Sequence, residues 1–358
     1  MRYPYLFGRS PATEPTYLLR TLDTHPMKLI IPMAGRGTRL RPHTHVTPKP
    51  LLPVAGTTMV ERIVDTFAAT LPTPITEAVF ILGPDFGDAV RAQLSDISER
   101  HGIVPHFGVQ AKALGTAHAV AMAEEHLAGE CIIVFADTLF FMDESPSLDA
   151  DAVLWVKHVD DPSRFGVVVK NGAGEITDFV EKPSEPISND AIIGIYYIKE
   201  GAALKREIDY IIDQNITGHG SEYQLTDALD RMLKNGQVFK TASVSEWLDC
   251  GTIPAIKDTS KVILDKEQSA EKAGTVEDCV VIEPVYVGPD AVVRGSTVGP
   301  YVAIHGGAVV EGSVVKNTIV FGEAHVAGSS LDDSVVGHYA HVHGFAGAAN
   351  IGDHSTIG

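Results

Sequence analysis

The residue types that could handle phosphate concentrate early in the chain. An apolar run, Leu29-Ile30-Ile31, opens into Ala34-Gly35-Arg36-Gly37-Thr38-Arg39. Gly35 and Gly37 allow a sharp turn that brings bare N–H groups close to an anion, while Arg36, Arg39 and Arg41 add fixed positive charge on forked donors. Lys49 follows inside Thr-Pro-Lys-Pro, where Pro48 and Pro50 stiffen the backbone that aims its ammonium. Neither common phosphate loop fits: the dinucleotide fingerprint needs a third glycine where Leu40 stands, and a Walker A loop needs Gly-Lys-Ser/Thr directly before a helix. Two aspartates offer hard oxygen donors. Asp137 ends the apolar stretch from Ile132 to Phe135, and Asp249 sits in Trp-Leu-Asp-Cys-Gly-Thr. Such carboxylates suit Mg²⁺, which keeps several waters and takes one or two protein ligands beside substrate phosphates. A lone aspartate after a strand is more often a turn or helix cap, so neither residue carries the argument alone.

The elements that must position these groups follow from hydrophobic spacing. Met59, Ile63, Val64 and Phe67 recur at helical intervals, and residues 78–82 read as a buried strand. Helix, strand, helix and strand continue over 89–97, 103–109, 116–127 and 131–135. Such alternation predicts right-handed βαβ units in a sheet covered on both faces, with ligands at the carboxyl ends of its strands. The glycine loop and Asp137 then face one crevice. From 152 to 198 short strands alternate with Gly and Asn turns, including Asn171-Gly172. Helices over 203–212 and 224–233, a strand near Val238 and a helix around 256–264 follow. The charged run from Asp265 to Lys272 has little to bury and marks the domain boundary.

Beyond it a short repeat takes over. Val281, Val287 and Val293 fall six apart, as do Val298, Ile304 and Val310, then Val320 and Val326, then Val336 and Val342. One aliphatic per six residues, often followed by glycine, predicts a parallel β-helix in which each aliphatic stacks on the coil below. It resembles the left-handed hexapeptide kind. The register slips between groups, so irregular coils are expected. The sequence stops in mid-repeat at Ile357-Gly358, so a capping segment is expected to be either missing or supplied by another subunit.

Composition excludes several classes. At roughly 150 residues per domain, 358 residues suggest two domains, and 44% hydrophobic content can fill their cores. A net charge of −18 opposes general nucleic-acid or membrane-surface binding, since both surfaces are polyanionic. Three cysteines without a Cys-x-x-Cys pair point away from disulfides and zinc–cysteine sites and toward a reducing cytoplasm. No apolar run approaches the ~20 residues that span a bilayer. Residues 1–26 read as a poorly ordered extension ahead of Met27-Lys28, which looks like a natural start.

The string Gly-Arg-Gly-Thr-Arg-Leu-Arg-Pro at 35–42, followed by Thr-Pro-Lys-Pro-Leu-Leu-Pro-Val-Ala-Gly at 47–56, resembles the signature of the sugar-1-phosphate nucleotidylyltransferases. The resemblance implies an α/β fold: a Rossmann-like mixed, mostly parallel sheet over residues 27–264, a linker at 265–274, and a left-handed β-helix over 275–358. The implied chemistry joins a nucleoside triphosphate and a sugar 1-phosphate into a nucleotide sugar and pyrophosphate. Ala34, Gly35, Gly37 and Thr38 would cradle the triphosphate, with Arg39 and Lys49 as catalytic cations and Asp137 and Asp249 on Mg²⁺. Gln110, with Leu114-Gly115-Thr116-Ala117-His118, resembles the base-reading segment, because a glutamine amide matches the imide edge of uracil or thymine. Phe165-Gly166-Val167-Val168, Glu181-Lys182-Pro183 and the strand carrying Gly194 resemble the sugar-phosphate half, with Lys182 also catalytic. Glu222 to Asp227 resembles another family segment, although Thr226 and Asp227 could equally cap a helix.

The implied step is an in-line displacement at the α-phosphorus, in which cations offset repulsion between two anions and no protein nucleophile is needed. The tail resembles that of long-form glucose-1-phosphate thymidylyltransferases, which implies thymidylyl transfer to glucose 1-phosphate first and uridylyl transfer to the same sugar next, in a homo-oligomer. Alternatives are a mannose-1-phosphate guanylyltransferase, a bifunctional nucleotidyl- and acyltransferase using His341 or His343, and a regulatory subunit that senses nucleotide sugars. His338, His341 and His343 are read mainly as polar turn residues.

Overall fold

The structure, a computed structural model, describes residues 26–35, 37–185, 187–267 and 273–358. The expected extension up to residue 25, Arg36 and residues 268–272 of the expected linker lie outside the described residues.

Strand β1 (Met27–Pro32) is buried along nearly its whole length, as suits a central strand. A short ladder of β2 (Pro53–Val54) and β3 (Thr57–Thr58) leads into α1 (Met59–Thr70). Thr58 starts that helix by accepting from the Glu61 amide at 3.3 Å, a capping-box spacing. Next come β4 (Ile75–Leu82), α2 (Asp88–Arg100), β5 (Val104–Val109), α3 (Thr116–Ala121), β6 (Cys131–Val134) and β7 (Thr138–Phe141). The second half supplies β8 (Ala152–His158), β9 (Gly166–Lys170), β10 (Ile176–Glu181), β11 (Asp190–Ile198), α4 (Gly201–Asp213) and α5 (Leu225–Lys234). It closes with β12 (Phe239–Ser243), β13 (Glu246–Asp249) and α6 (Ile253–Lys266), which runs into the charged stretch. The helix expected over 116–127 is split, because Glu124 at φ +49° cannot continue a right-handed helix. The tail of that segment is a separate 3₁₀ turn, Glu124–His126.

Among the described residues nine strands form the main sheet, whose principal order is β10-β9-β11-β6-β1-β4-β5, with β8 and β12 joined through β11. The β6-β1-β4-β5 half is parallel, whereas β11 runs antiparallel to β6, β8 and β9. One face packs against α1 and α6, with Phe67, Phe80 and Trp155 fully buried; the other packs against α3, α4 and α5. Burying one such aromatic contributes roughly 2–3 kcal/mol.

The C-terminal strands, each two or three residues long, stack into three parallel sheets that fit a left-handed β-helix. Val293, Val310, Val326 and Val342 are each buried directly above the last. Coil spacing explains the slipping register. Thr275, Val292 and Val309 are 17 residues apart, His325 and His341 are 16 apart, and Thr356 follows after 15. Three full hexapeptides would need 18. One corner is held by a serine ladder: the Ser313 amide donates to Ser296 Oγ at 3.0 Å, and the Ser329 amide to Ser313 Oγ at 3.1 Å. These buried hydroxyls satisfy backbone donors that the sheets leave over.

The β-helix rests on the α/β domain. Ile319, Phe321 and Val335 join the apolar cluster beneath α1 and α6, and the Tyr286 ring lies against Gly56, where a Cβ would come within 2.4 Å. His43 Nε2 meets Asn350 Oδ1 at 2.5 Å, and its ring stands edge-on to Phe321, which also stacks on His338. Burial lowers the pKa of His43, His338 and His305, the last to about 3. Each shift favours the neutral ring in the folded protein, and for His305 the stability is complete above the unfolded value near 6.5 and falls as pH drops toward 3. His305 alone should remove about 2 kcal/mol between pH 7 and pH 5. Chemical unfolding at both pH values checks this: His305→Leu should shrink the difference by about that amount, and an identical pH response in the two proteins would refute it.

Candidate active site

The site forms where β1, β4, β5 and β6 end. Past β1 the Met33 amide still donates to Ile81 O at 2.9 Å, after which the chain turns. Gly37 sits at φ +57°, and a Cβ there would lie 2.9 Å from Lys49 Cβ, so glycine serves both the turn and the close approach of the lysine segment. Thr44 Oγ1 donates to Gly37 O at 2.7 Å and closes the loop. Buried Leu40 anchors the turn Thr38–Leu40 beside Arg39. Gly35 faces open space, and Ala34 O lies against Gly83 at the end of β4.

Lys49 is buried, and its ammonium donates to the backbone carbonyl of Asp137 at 2.9 Å. Desolvation lowers its pKa, opposed by the negative charges of Asp137 and Asp249. Asp137 follows β6, while Asp249 ends β13, which runs antiparallel to β7 with Asp249 opposite Thr138. Residues 137 and 249 are thereby brought to one end of a two-stranded ladder. The Gly251 amide donates to Asp249 Oδ1 at 2.7 Å, and Thr259 Oγ1 donates to Asp249 O at 2.8 Å, which fixes the second carboxylate. A Cβ on Gly251 would stand 2.9 Å from Asp249 Oδ1 and 3.5 Å from Arg39 Nη2, so guanidinium and carboxylate flank the same glycine.

Asp137 is open to solvent across the cavity mouth, yet protein crowds round it. That desolvation pushes its carboxyl above the usual range; Asp249 adds to the rise, and Lys49 and Arg39 oppose it. Two repelling carboxylates beside confined cations form a hard-oxygen donor set, and that set fits Mg²⁺.

A cavity of about 640 Å³ is lined by Arg39, Asp137, Asp249, Gly166, Glu181 and Gly194, among others. Gly166 faces Glu181 across the β9-β10 ladder, and Gly194, at φ +81°, packs on the Phe135 ring. Lys182 is outside this lining, exposed at φ +45°, with Nζ 3.7 Å from Glu181 Oε1.

Thr116 is part of the cavity wall, whereas Gln110 and Gly115 are outside its lining. The Gln110 amide nitrogen donates to Gly115 O and to His118 Nδ1, both at 3.1 Å. A carbonyl only accepts, so this contact fixes which end of the amide is which, and Oε1 remains the side chain's acceptor. Burial lowers the His118 pKa, which keeps Nδ1 available to accept. Gly115, at φ +121°, lies so close to Tyr223 that a Cβ would be 2.4 Å from its carbonyl oxygen. Residues 114–117 are stitched to 223–225: Tyr223 N donates to Leu114 O, Ala117 N to Tyr223 O, and Leu225 N to Thr116 Oγ1, each at 2.9 Å. The α5 start is thus capped by Thr116 of α3, and its own N-cap residue, Gln224, makes no side-chain cap bond.

Among the lining residues, Arg164 and Trp247 are given no role in the sequence reading. Arg164 has no signal beyond its place two residues before Gly166. Trp247 packs edge-on against Phe165 at 5.2 Å, and its buried Nε1 lacks a partner among the described residues, a donor turned to the wall. No helix among the described residues is long and apolar enough to cross a membrane.

Comparison with known proteins gives a consistent result. A family model described as nucleotidyl transferase matches residues 28–266. A low-salt glycan biosynthesis nucleotidyltransferase of Haloferax volcanii is 28% identical over 328 residues, spanning 84% of this chain and 89% of that protein. A glucose-1-phosphate thymidylyltransferase of Streptomyces griseus is 26% identical over 326 residues, with the same 84% and 89% coverage. The fold also matches a UDP-glucose pyrophosphorylase solved with UDP-glucose at TM-score 0.55 and 21% identity, over 68% of this chain and all of that one.

Proposed function

The chain belongs to the nucleotidyl transferase family as a sugar-1-phosphate nucleotidyltransferase, and from that premise we propose that it joins dTTP or UTP to glucose 1-phosphate. The observation that carries this reading is the convergence of Arg39, Asp137 and Asp249 on one cavity, with the Lys49 ammonium against Asp137 from behind.

In this mechanism a phosphate oxygen of the sugar 1-phosphate forms a bond to the α-phosphorus of the triphosphate. The bond from that phosphorus to the β-phosphate oxygen breaks, and its electron pair leaves on pyrophosphate. Both reactants are anions, so the protein's work is alignment and charge neutralisation. Ala34, Gly35, Gly37 and Thr38 hold the triphosphate, and Arg39 neutralises it where the bond breaks. Lys49 holds the Asp137 backbone in place and adds fixed positive charge. Mg²⁺ held by Asp137 and Asp249 would supply charge neutralisation across the phosphates. Gly166, Glu181 and Gly194 form the sugar side, and Lys182 swings in from the rim to meet the sugar phosphate.

Gln110 supports a pyrimidine. Its amide nitrogen is engaged by Gly115, so Oε1 accepts from the N3–H of thymine or uracil. The likeness to a glucose-1-phosphate thymidylyltransferase over 84% of this chain supports glucose as the sugar. We take residues 27–264 as the catalytic domain, 265–274 as the linker and 275–358 as a β-helix that assembles a cytoplasmic homo-oligomer.

Pyrophosphate release tests this, with ATP, GTP, CTP, UTP and dTTP each set against the 1-phosphates of glucose, mannose, galactose and N-acetylglucosamine. The highest kcat/KM is expected for dTTP or UTP with glucose 1-phosphate. A matrix led by GTP with mannose 1-phosphate would overturn the assignment, and acetyl-CoA consumption would assign the β-helix a second reaction.

A further inference from the structure

Away from the cavity, Glu77 on β4, His106 on β5 and His126 on the turn after α3 present three ligand atoms to one point. In the parallel β4-β5 register Glu77 pairs with Val104 and Val79 with His106, so Glu77 and His106 share a sheet face and are diagonal neighbours. His126 closes on them from the turn Glu124–His126 above that face. A single carboxylate oxygen, Glu77 Oε2, lies 3.1 Å from His126 Nδ1 and 3.3 Å from His106 Nε2. All three ligand atoms lie within 4.8 Å of one another, and the two imidazole rings have centroids 4.0 Å apart.

A tetrahedral ion with bonds of about 2.0–2.1 Å holds its ligands about 3.3 Å apart. The two separations match that edge. Two touching imidazoles sharing one carboxylate oxygen would repel if both were protonated, whereas two neutral rings and a carboxylate make a complete ligand set. We propose that Glu77, His106 and His126 bind a divalent transition-metal ion, Zn²⁺ by preference, with water in the fourth position. Two nitrogens and one oxygen select a borderline ion, which separates this site from the all-oxygen pair Asp137 and Asp249. Side-chain exposures of 24–30% leave the site reachable from solvent.

The position gives the ion a task. His106 and His126 bracket the segment that carries Gln110, Gly115 and His118, so a bound ion ties β4, the edge strand β5 and the end of the α3 segment together. It closes a loop around the residues beside the nucleotide side of the cavity and restrains them, as a cross-link would. The ion lies outside the cavity and takes no part in bond making, so the inference stands whichever nucleotide the enzyme uses.

The test uses the full chain, stripped with chelator and titrated with Zn²⁺ in excess Mg²⁺, which saturates oxygen-only sites. One Zn²⁺ per chain and a raised Tm are expected, and Co²⁺ in its place should give the intense visible bands of a tetrahedral site. His126→Ala and Glu77→Gln should each weaken Zn²⁺ binding by on the order of 10–100-fold or more and abolish the Tm rise. Their metal-free Tm values, compared with the metal-free parent, identify any general loss of folding, and the Co²⁺ bands read the site independently. His325→Ala, on the β-helix, should change nothing. Equal Zn²⁺ binding by the parent and both site variants, loss of binding in His325→Ala, or no binding by the parent would overturn the proposal.

Discussion

Asp137→Asn is expected to leave the protein folded and to lower pyrophosphate release by on the order of 10²–10³. The substitution keeps the side chain's shape and removes one of two hard anionic donors at the cavity, so any cation held between Asp137 and Asp249 loses its stronger attraction. The effect on stability runs the other way. Crowding holds the Asp137 carboxyl above its ordinary pKa, so its charged form costs the folded state free energy at neutral pH, and that cost is relieved as pH falls through the raised value. Asn removes the cost, so Tm at neutral pH should equal or exceed that of the parent while turnover collapses. A variant with a near-normal rate would remove Asp137 from the site.

Gly115→Ala should cost about 2–4 kcal/mol of stability and raise KM for the nucleotide. Two independent effects add. The backbone at φ +121° is open to glycine and strained for alanine, and the new methyl would meet three backbone atoms of Tyr223 at 2.4–2.9 Å. Backbone cannot rotate aside as a side chain can. The stitch between residues 114–117 and 223–225 must therefore open, which displaces Gly115 O, the acceptor that orients Gln110. Chemical unfolding and nucleotide KM read the two consequences separately. An unchanged unfolding midpoint would mean that the strand-like contact yields at no cost and that the glycine is dispensable.

Several features were legible because they are local. The Gly35–Gly37 turn and the stiffened Thr-Pro-Lys-Pro segment show in neighbouring residues, and so do the apolar strands. The hexad valines reveal the β-helix because burial in each coil repeats at nearly fixed spacing. The coil lengths of 17, 16 and 15 residues were only half visible, as slips in the hexad pattern. The split after α3 was hidden because residues 116–127 carry helical spacing throughout, and only the left-handed backbone at Glu124 ends it. The role of Thr116 as a cap for α5, 109 positions away, has no local signature at all.

The order of residues by itself determined the elements, their apolar faces and the residue types able to bind phosphate, because helix and strand periods and turn chemistry act over a few neighbours. Only the tertiary structure decided which of those groups meet. Asp249 comes beside Asp137 through the register of β13 on β7, Lys49 turns to a backbone carbonyl, His43 reaches the β-helix, and two histidines converge on Glu77. Such meetings depend on how whole faces pack to exclude water and pair buried polar groups, and that balance is struck over the entire chain.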